Sequence, residues 1–298
     1  MTIILNGNKL SQDIRSELKS ELARLIGDHR PPKLSVVLVG EDPASSVYVR
    51  NKEKACNDAG ILTETFRLSS NITQQELIQK INHLNNDPQV DGILVQLPLP
   101  IHIDEIQVVN QIHPSKDVDG IHPFNLGNLV QGTPLFVPCT PLGIQQILLR
   151  HSIEISGKHV VVCGRSNIVG KPIANLLSQR GSGGDATVTI CHSRTTNLND
   201  LTSSADILVA AVGQAHFITQ NMVKENATII DVGINRINDP TKKSGTRLVG
   251  DVDYDAVFDK VRAITPVPGG VGPMTITMLL NNTLKSWMKS NQLSGNIA

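Results

Sequence analysis

Short runs of apolar residues alternate along the chain with stretches whose apolar side chains recur at helical spacing. Leu34-Ser-Val-Val-Leu-Val39 predicts a buried strand that stops at Gly40. Asp42-Pro43 then places an N-cap before a proline in the first helical position. The helix so begun runs to about Gly60, a natural carboxyl-terminal stop. Residues 61–68 read as a second strand, 74–84 as a helix, and Gly92-Ile-Leu-Val-Gln96 as a third strand. This order predicts parallel βαβ units with both sheet faces covered.

Between Pro98 and Pro141 seven prolines, with glycines and polar residues among them, interrupt the alternation. That density predicts a crossing segment with functional loops rather than a flexible linker. The pattern then restarts. Residues 142–150 read as helix, 158–163 as a strand ending at Gly164, 170–180 as helix, and 186–191, 206–210 and 228–231 as strands. Residues 248–250 and 262–264 are weaker strands. The run 266–273 is too rich in proline and glycine for a regular element, and residues 274–290 close the chain as a helix. The expected fold is α/β with two domains: an amino-terminal α/β catalytic domain, residues 1–140, and a Rossmann-type dinucleotide domain, residues 141–273. The carboxyl-terminal helix is expected to pack back on the first.

A length of 298 residues agrees with two domains. With 40% apolar residues the chain can build proper cores. Basic and acidic side chains balance at 27 each, which leaves no electrostatic footprint for nucleic acid or an anionic membrane. No apolar run approaches the length of a membrane span. Nothing near Met1 reads as a signal peptide, so a cytoplasmic protein is expected. The cysteines at 56, 139, 163 and 191 lie too far apart for a zinc ribbon or a disulfide scaffold.

Val160-Val-Val-Cys-Gly-Arg-Ser-Asn-Ile-Val-Gly-Lys-Pro172 reads as strand, tight turn and helix, which would aim free N–H groups and the positive helix end at a pyrophosphate. Gly164 and Gly170 stand where a dinucleotide fingerprint needs them, with Ser166 in place of the middle glycine. A purely structural strand–helix turn is the alternative. The next strand ends Cys191-His-Ser-Arg-Thr195, with hydroxyl and basic groups where an NAD site would carry a carboxylate for the ribose. Arg165, Ser193 and Arg194 therefore favour NADP, whose 2′-phosphate a guanidinium pairs with bidentately. Solvated surface charge is the plainer reading of both arginines.

In the first half, Tyr48-Val-Arg-Asn-Lys52 puts a ring and an ammonium on one helix face. A lysine desolvated against that ring would have a lowered pKa suited to proton transfer, although most lysines simply reach into water. Gln96 falls at the carboxyl end of a strand, where open α/β sheets bind ligands. Lys116-Asp-Val-Asp-Gly120 offers Asp117 and Asp119, either as site carboxylates or as turn residues. The glycines of Pro268-Gly-Gly-Val-Gly-Pro273 would let backbone approach a flat ligand.

Tyr48-x-x-x-Lys52, Val95-Gln-Leu-Pro-Leu-Pro100, Lys116-Asp-Val-Asp-Gly120, Pro138-Cys-Thr-Pro141, Gly164-Arg-Ser-x-x-Val-Gly-x-Pro172, Asp231-Val-Gly-Ile-Asn235 and Pro266-Val-Pro-Gly-Gly-Val-Gly-Pro-Met-Thr275 occur in this order. From about residue 3 to 288 the chain resembles the bifunctional methylenetetrahydrofolate dehydrogenase/methenyltetrahydrofolate cyclohydrolases. The resemblance implies oxidation of 5,10-methylenetetrahydrofolate with NADP, then hydrolysis of the methenyl product to 10-formyltetrahydrofolate. It implies that Lys52 assists the water step, Gln96 positions it, Tyr48 packs on the folate and Asp119 holds the pterin's amino edge. Pro268, Gly269 and Gly270 would also line the folate site, and Gly164, Arg165, Ser166, Ser193 and Ile234 would bind NADP. A cleft between the domains would hold folate and nicotinamide face to face.

No metal is expected. The resemblance further implies a homodimer serving one-carbon metabolism and, through it, purine, methionine and histidine synthesis. Arg180-Gly-Ser-Gly-Gly-Asp185 is a longer connection than many relatives have. Competing expectations are a dehydrogenase without the cyclohydrolase step, an NAD-preferring enzyme, and a non-catalytic folate or nucleotide binder. Lys52 with Gln96 argues against the first, and Arg165 with Ser193 against the second.

Overall fold

The computed structural model describes residues 1–242, 245–295 and 297. In chain order its first elements are β1 (Ile3–Ile4), α1 (Gly7–Leu25), β2 (Lys33–Val39), α2 (Pro43–Ala59), β3 (Leu62–Leu68), α3 (Gln74–Asn86) and β4 (Gly92–Val95). The proline-rich stretch carries α4 (Glu105–Val109) and α5 (Pro123–Gln131). Then follow α6 (Cys139–Arg150), β5 (His159–Cys163), α7 (Gly170–Leu177), β6 (Thr187–Cys191), α8 (Leu198–Ser203) and β7 (Ile207–Ala210). The chain continues through β8 (Thr228–Asp231), β9 (Asn235–Asn238), β10 (Thr246–Val249), α9 (Tyr254–Val257), β11 (Ala263–Ile264) and α10 (Val271–Ser290). The backbone gathers into two compact units, one of Gln12–Cys139 with the chain from Ile276 onward, the other of Met1–Ser11 with Thr140–Thr275.

The first unit is built on a parallel sheet in the order β3-β2-β4. Central β2 is buried almost throughout, whereas edge strand β3 is largely half-exposed, as its mixed polar sequence requires. Helix α2 starts where the Asp42 carboxylate accepts from the Ser45 N–H at 2.7 Å and stops at Gly60, whose φ of 81° suits glycine. Helix α3 carries a capping box between Thr73 and Glu76 and buries Leu77, Ile81 and Leu84 in a core with Val37, Ile93 and Val95.

The segment after α4 runs alongside β4. Ile93 N–H donates to the Lys116 carbonyl at 2.8 Å, and Ile93 faces Asp117 in a parallel bridge. Helix α10 holds the same segment: Asn282 Nδ2 donates to the Val118 carbonyl at 2.9 Å, and Ser286 Oγ to the Ser115 carbonyl at 2.9 Å. The return of the last helix to the first unit thus has a local purpose, since it fixes the backbone that carries Asp119.

The second unit holds a six-stranded sheet in the order β1-β11-β8-β7-β5-β6, parallel at every pairing, and a separate antiparallel β9/β10 ribbon. Val161, Leu208, Ile229 and Ile264 centre its core. Residues 1–11, expected with the first domain, fall here instead, because Ile3 and Ile4 pair with Ala263 and Ile264 and extend the sheet.

Other boundaries shift for identifiable reasons. Helix α7 ends at Leu177 rather than near 180, with Ser178 as its cap. Helix α10 begins at Val271, inside the glycine–proline run, because a proline in the first turn costs no intrahelical bond. Helix α1 lies outside the elements predicted above, although Leu10, Ile14, Leu18 and Leu22 recur every fourth residue and are all buried. Among the described residues no helix is long and apolar enough to cross a membrane.

Candidate active site

On α2 the turn-by-turn spacing puts Tyr48 and Lys52 on one face, with the Lys52 ammonium 5.2 Å from the ring centroid. Lys52 is only 7% exposed. Its Nζ donates to Gln96 Oε1 at 2.9 Å, while Gln96 Nε2 is occupied by the Leu97 carbonyl at 2.7 Å. An ammonium has no acceptor, so the glutamine must present its oxygen. The Gln96 N–H bond to the Val37 carbonyl at 2.9 Å sets this side chain at the end of β4. Burial lowers the Lys52 pKa, and the nearby charge of Asp119 opposes that shift. Tyr48 is pushed the other way by burial and by Asp119, and so stays a neutral phenol.

The two carboxylates of the Lys116–Gly120 loop divide their roles. Asp117 is fully buried, accepting from Asn125 Nδ2 at 2.7 Å and from the His122 and Ile121 N–H groups at 2.9 and 3.3 Å. Burial raises its carboxyl to about 7. This is turn chemistry. Asp119 is half-exposed, and its field reaches Lys52 and Tyr48. Lys52, Gln96, Tyr48 and Asp119 therefore form one electrostatically connected group.

In the second unit the turn after β5 is shaped as a fingerprint requires. Gly164 has φ of 126°, and a Cβ there would strike the Ala211 carbonyl oxygen; a Cβ on Gly170 would strike the Gly164 carbonyl. Ser166 replaces the middle glycine with a capping role, its Oγ accepting from the Val169 and Gly170 N–H groups at 3.1 and 3.3 Å. Arg165 and Ser166 are exposed. At the end of β6, Thr195 Oγ1 accepts from the His192 N–H at 2.8 Å and closes a turn that leaves Ser193 and Arg194 exposed. The long 180–185 connection folds on itself, with Gly181 N–H on Asp185 Oδ2 at 3.0 Å, and delivers β6 in register, Thr187 opposite His159.

Beyond β8, Asp231, Ile234, Leu248 and the Pro268–Gly270 loop line a small cavity of about 60 Å³. Ile234 is 53% exposed. Asp231 and a second carboxylate bonded to its surroundings, Asp251, are both buried. Asp231 belongs to a motif legible in the sequence. Asp251 carries no such signal, since Gly250-Asp251-Val252 matches no pattern of spacing. The cysteines are all free and buried, and among the described residues no cluster of His, Cys, Asp or Glu has the makings of a metal site.

A parallel sheet with a glycine turn at the end of an inner strand, in a chain that also carries a buried, hydrogen-bonded lysine, defines an α/β enzyme of the dinucleotide-dependent class. Residues 5–119 match the tetrahydrofolate dehydrogenase/cyclohydrolase catalytic domain, and residues 138–291 match the NAD(P)-binding domain of the same family. The chain belongs to the tetrahydrofolate dehydrogenase/cyclohydrolase family. It is 55% identical over 294 residues to the bifunctional protein FolD of Prosthecochloris aestuarii, covering 98% of this chain and 100% of that one. The bifunctional FolD enzyme of Campylobacter jejuni superposes with a TM-score of 0.91 at 46% identity, covering 98% and 100% of the two chains. The Trypanosoma brucei dehydrogenase-cyclohydrolase, solved with NADP and an inhibitor, gives 0.92 at 39% identity over 98% and 99%.

Proposed function

We infer that this protein oxidises 5,10-methylenetetrahydrofolate to 5,10-methenyltetrahydrofolate with NADP and hydrolyses that product to 10-formyltetrahydrofolate. The observation that carries the reading is the buried Lys52 ammonium, bonded to Gln96 and set against Tyr48 within the field of Asp119. When bound, NADP accepts the hydride that leaves the methylene carbon.

The residues of this chain do the rest. Adding water to the methenyl carbon releases a proton, and opening the ring requires one at nitrogen. Lys52, with its pKa lowered by burial, is the group to carry it. Gln96 holds the amine in place with a neutral oxygen, which does not stabilise the ammonium as a carboxylate would. Tyr48 offers a flat, uncharged wall to the pterin. Asp119 accepts from the pterin's adjacent N–H donors.

On the nucleotide side, Gly164, Arg165, Ser166, Ser193 and Ile234 are the residues proposed to hold NADP. Their fit rests on a turn too tight for any side chain at Gly164, an exposed guanidinium at Arg165, and no carboxylate in the 192–195 turn. The first unit is assigned the folate and the second the dinucleotide. Assembly as a homodimer in the cytoplasm, supplying formyl and methenyl groups for purine, methionine and histidine synthesis, completes the proposal.

An absorbance assay tests it. Purified protein given methylenetetrahydrofolate and NADP should produce NADPH, and given methenyltetrahydrofolate alone should consume it faster than buffer does. Failure of both reactions would leave a binding protein, and failure of the second alone a dehydrogenase.

A further inference from the structure

The loops at the carboxyl ends of β7 and β8 are tied together from below by two buried carboxylates. Asp251 Oδ2 accepts from the Val212 and Gly213 N–H groups at 2.6 and 2.9 Å, and its Oδ1 accepts from Asn235 Nδ2 at 2.8 Å. Asp231 Oδ1 accepts from the N–H of Gly233 at 3.0 Å and of Asp251 itself at 2.9 Å, and its Oδ2 from Val252 N–H at 3.0 Å. The fit leaves no spare room: a Cβ on Gly233 would strike the Asp251 carboxylate, and one on Gly250 the Asp231 carboxylate. Burial and the charge of Asp251 raise the Asp231 carboxyl to about 6, so the arrangement is electrostatically costly.

A sheet that needed only stability would be served as well by apolar side chains. What the carboxylates add is direction: Asp231 takes backbone donors from two separate segments, and Asp251 joins the 212–213 backbone to the Asn235 side chain. The connection also reaches the fingerprint turn, since Gly164 packs on Ala211, the residue before the two N–H groups that Asp251 holds. Ile234 lies between Gly233 and Asn235, both of which the pair fixes.

We propose that Asp231 and Asp251 are positioning residues for the dinucleotide, holding residues 211–213 and 232–235 in their binding arrangement before the nucleotide arrives. This rests on the assignment of the second unit to NADP. The carboxylates face backbone and Asn235 rather than solvent, so they act on affinity through the loops they hold. Rigid, pre-arranged loops bind without paying to be ordered. Unlike Arg165, the pair has no reason to distinguish NADP from NAD.

The test is equilibrium titration of Asp251→Asn with NADP and with NAD in the absence of folate, after circular dichroism has shown the variant folded. An amide in this position would turn an NH₂ towards backbone donors or towards Asn235. The Kd for both dinucleotides should rise by a similar factor, at least about tenfold. In the dehydrogenase assay KM for NADP should rise more than kcat falls.

A lowered melting temperature with both Kd values within about twofold of wild type would reduce the pair to a structural role and overturn the proposal. Should Asp251→Asn not fold, Asn235→Ala removes one donor from a half-exposed position. It should weaken both dinucleotides several-fold, and an unchanged Kd there would overturn the proposal equally. Wild-type protein that bound no NADP would defeat the underlying assignment as well, an outcome distinct from wild type and variant binding alike.

Discussion

The lysine group of the first unit and the nucleotide edge of the second solve opposite problems. Lys52 is buried and already bonded, its partner Gln96 locked by a second hydrogen bond. Arg165, Ser166 and Ser193 are exposed, and what is rigid around them is backbone: the Gly164 turn and the loops beneath. A group that must give and take a proton near neutral pH needs desolvation to bring its pKa down, so the fold bears the cost of burying it. A group that meets a phosphate from solution is already charged, and it gains most by staying solvated until the ligand replaces its water. Under the proposed assignment, proton transfer is therefore buried in one unit and dinucleotide binding displayed in the other.

Lys52→Met attacks the buried side of this contrast and carries the largest expected effect. Methionine keeps the length and apolar stem but carries no proton. General acid–base catalysis contributes about 10²–10⁴-fold, so cyclohydrolase activity should fall at least roughly a hundredfold. Hydride transfer needs no proton at carbon, so some dehydrogenase activity should remain and methenyltetrahydrofolate should accumulate. A folded variant that hydrolysed the methenyl compound at the wild-type rate would remove Lys52 from the mechanism.

Asp119→Ala should impair both activities together, because both use one folate site. The lost charge-assisted bonds to the pterin predict a rise of roughly a hundredfold in KM for the folate, with NADP affinity measured alone nearly intact. Wild-type folate affinity in this variant would return Asp119 to the turn role that Asp117 fills. On the displayed side, Arg165→Ala should weaken NADP by roughly ten- to a hundredfold and NAD far less, since only NADP carries the 2′-phosphate. Equal losses would place the guanidinium elsewhere and blur the distinction from Asp251.

The same contrast explains what was legible in the sequence. Strands such as Val36–Val39 and Val160–Cys163 announce themselves because burial on both faces demands continuous apolar runs. The Tyr48–Lys52 spacing and the Gly164 turn were readable because one periodicity or one glycine carries the meaning. Helix α1 hid in a polar sequence, although its apolar residue at every fourth position was there to count. The amino-terminal strand β1 could not be read, since two isoleucines become a strand only when Ala263 and Ile264 supply the partner. Asp251 was invisible for a similar reason, because its donors come from residues 212, 213 and 235 and meet only in the folded sheet. The division between Asp117 and Asp119 was likewise left open by a loop sequence that offers both.

That division supplies the smallest and most delicate test. Asp117 sits in the folded protein with its carboxyl raised to about 7, against about 3.9 in an unfolded chain. Between those values the folded state holds a proton that the unfolded state has released. The contribution of this group to stability is therefore complete below the unfolded value and is lost as pH rises through the folded one. The slope is at most about 1.4 kcal/mol per pH unit, or roughly 1–4 °C in Tm for a protein of this size. Asp117→Asn keeps an acceptor for the His122 N–H but cannot titrate. Other groups, including nearby His122, titrate in both proteins and cancel in the difference. Melting curves of both proteins from pH 5 to 8 should thus diverge, the variant gaining on wild type as pH rises. Parallel curves would mean that Asp117 ionises as an ordinary carboxylate, and that the loop holding Asp119 contains no buried proton.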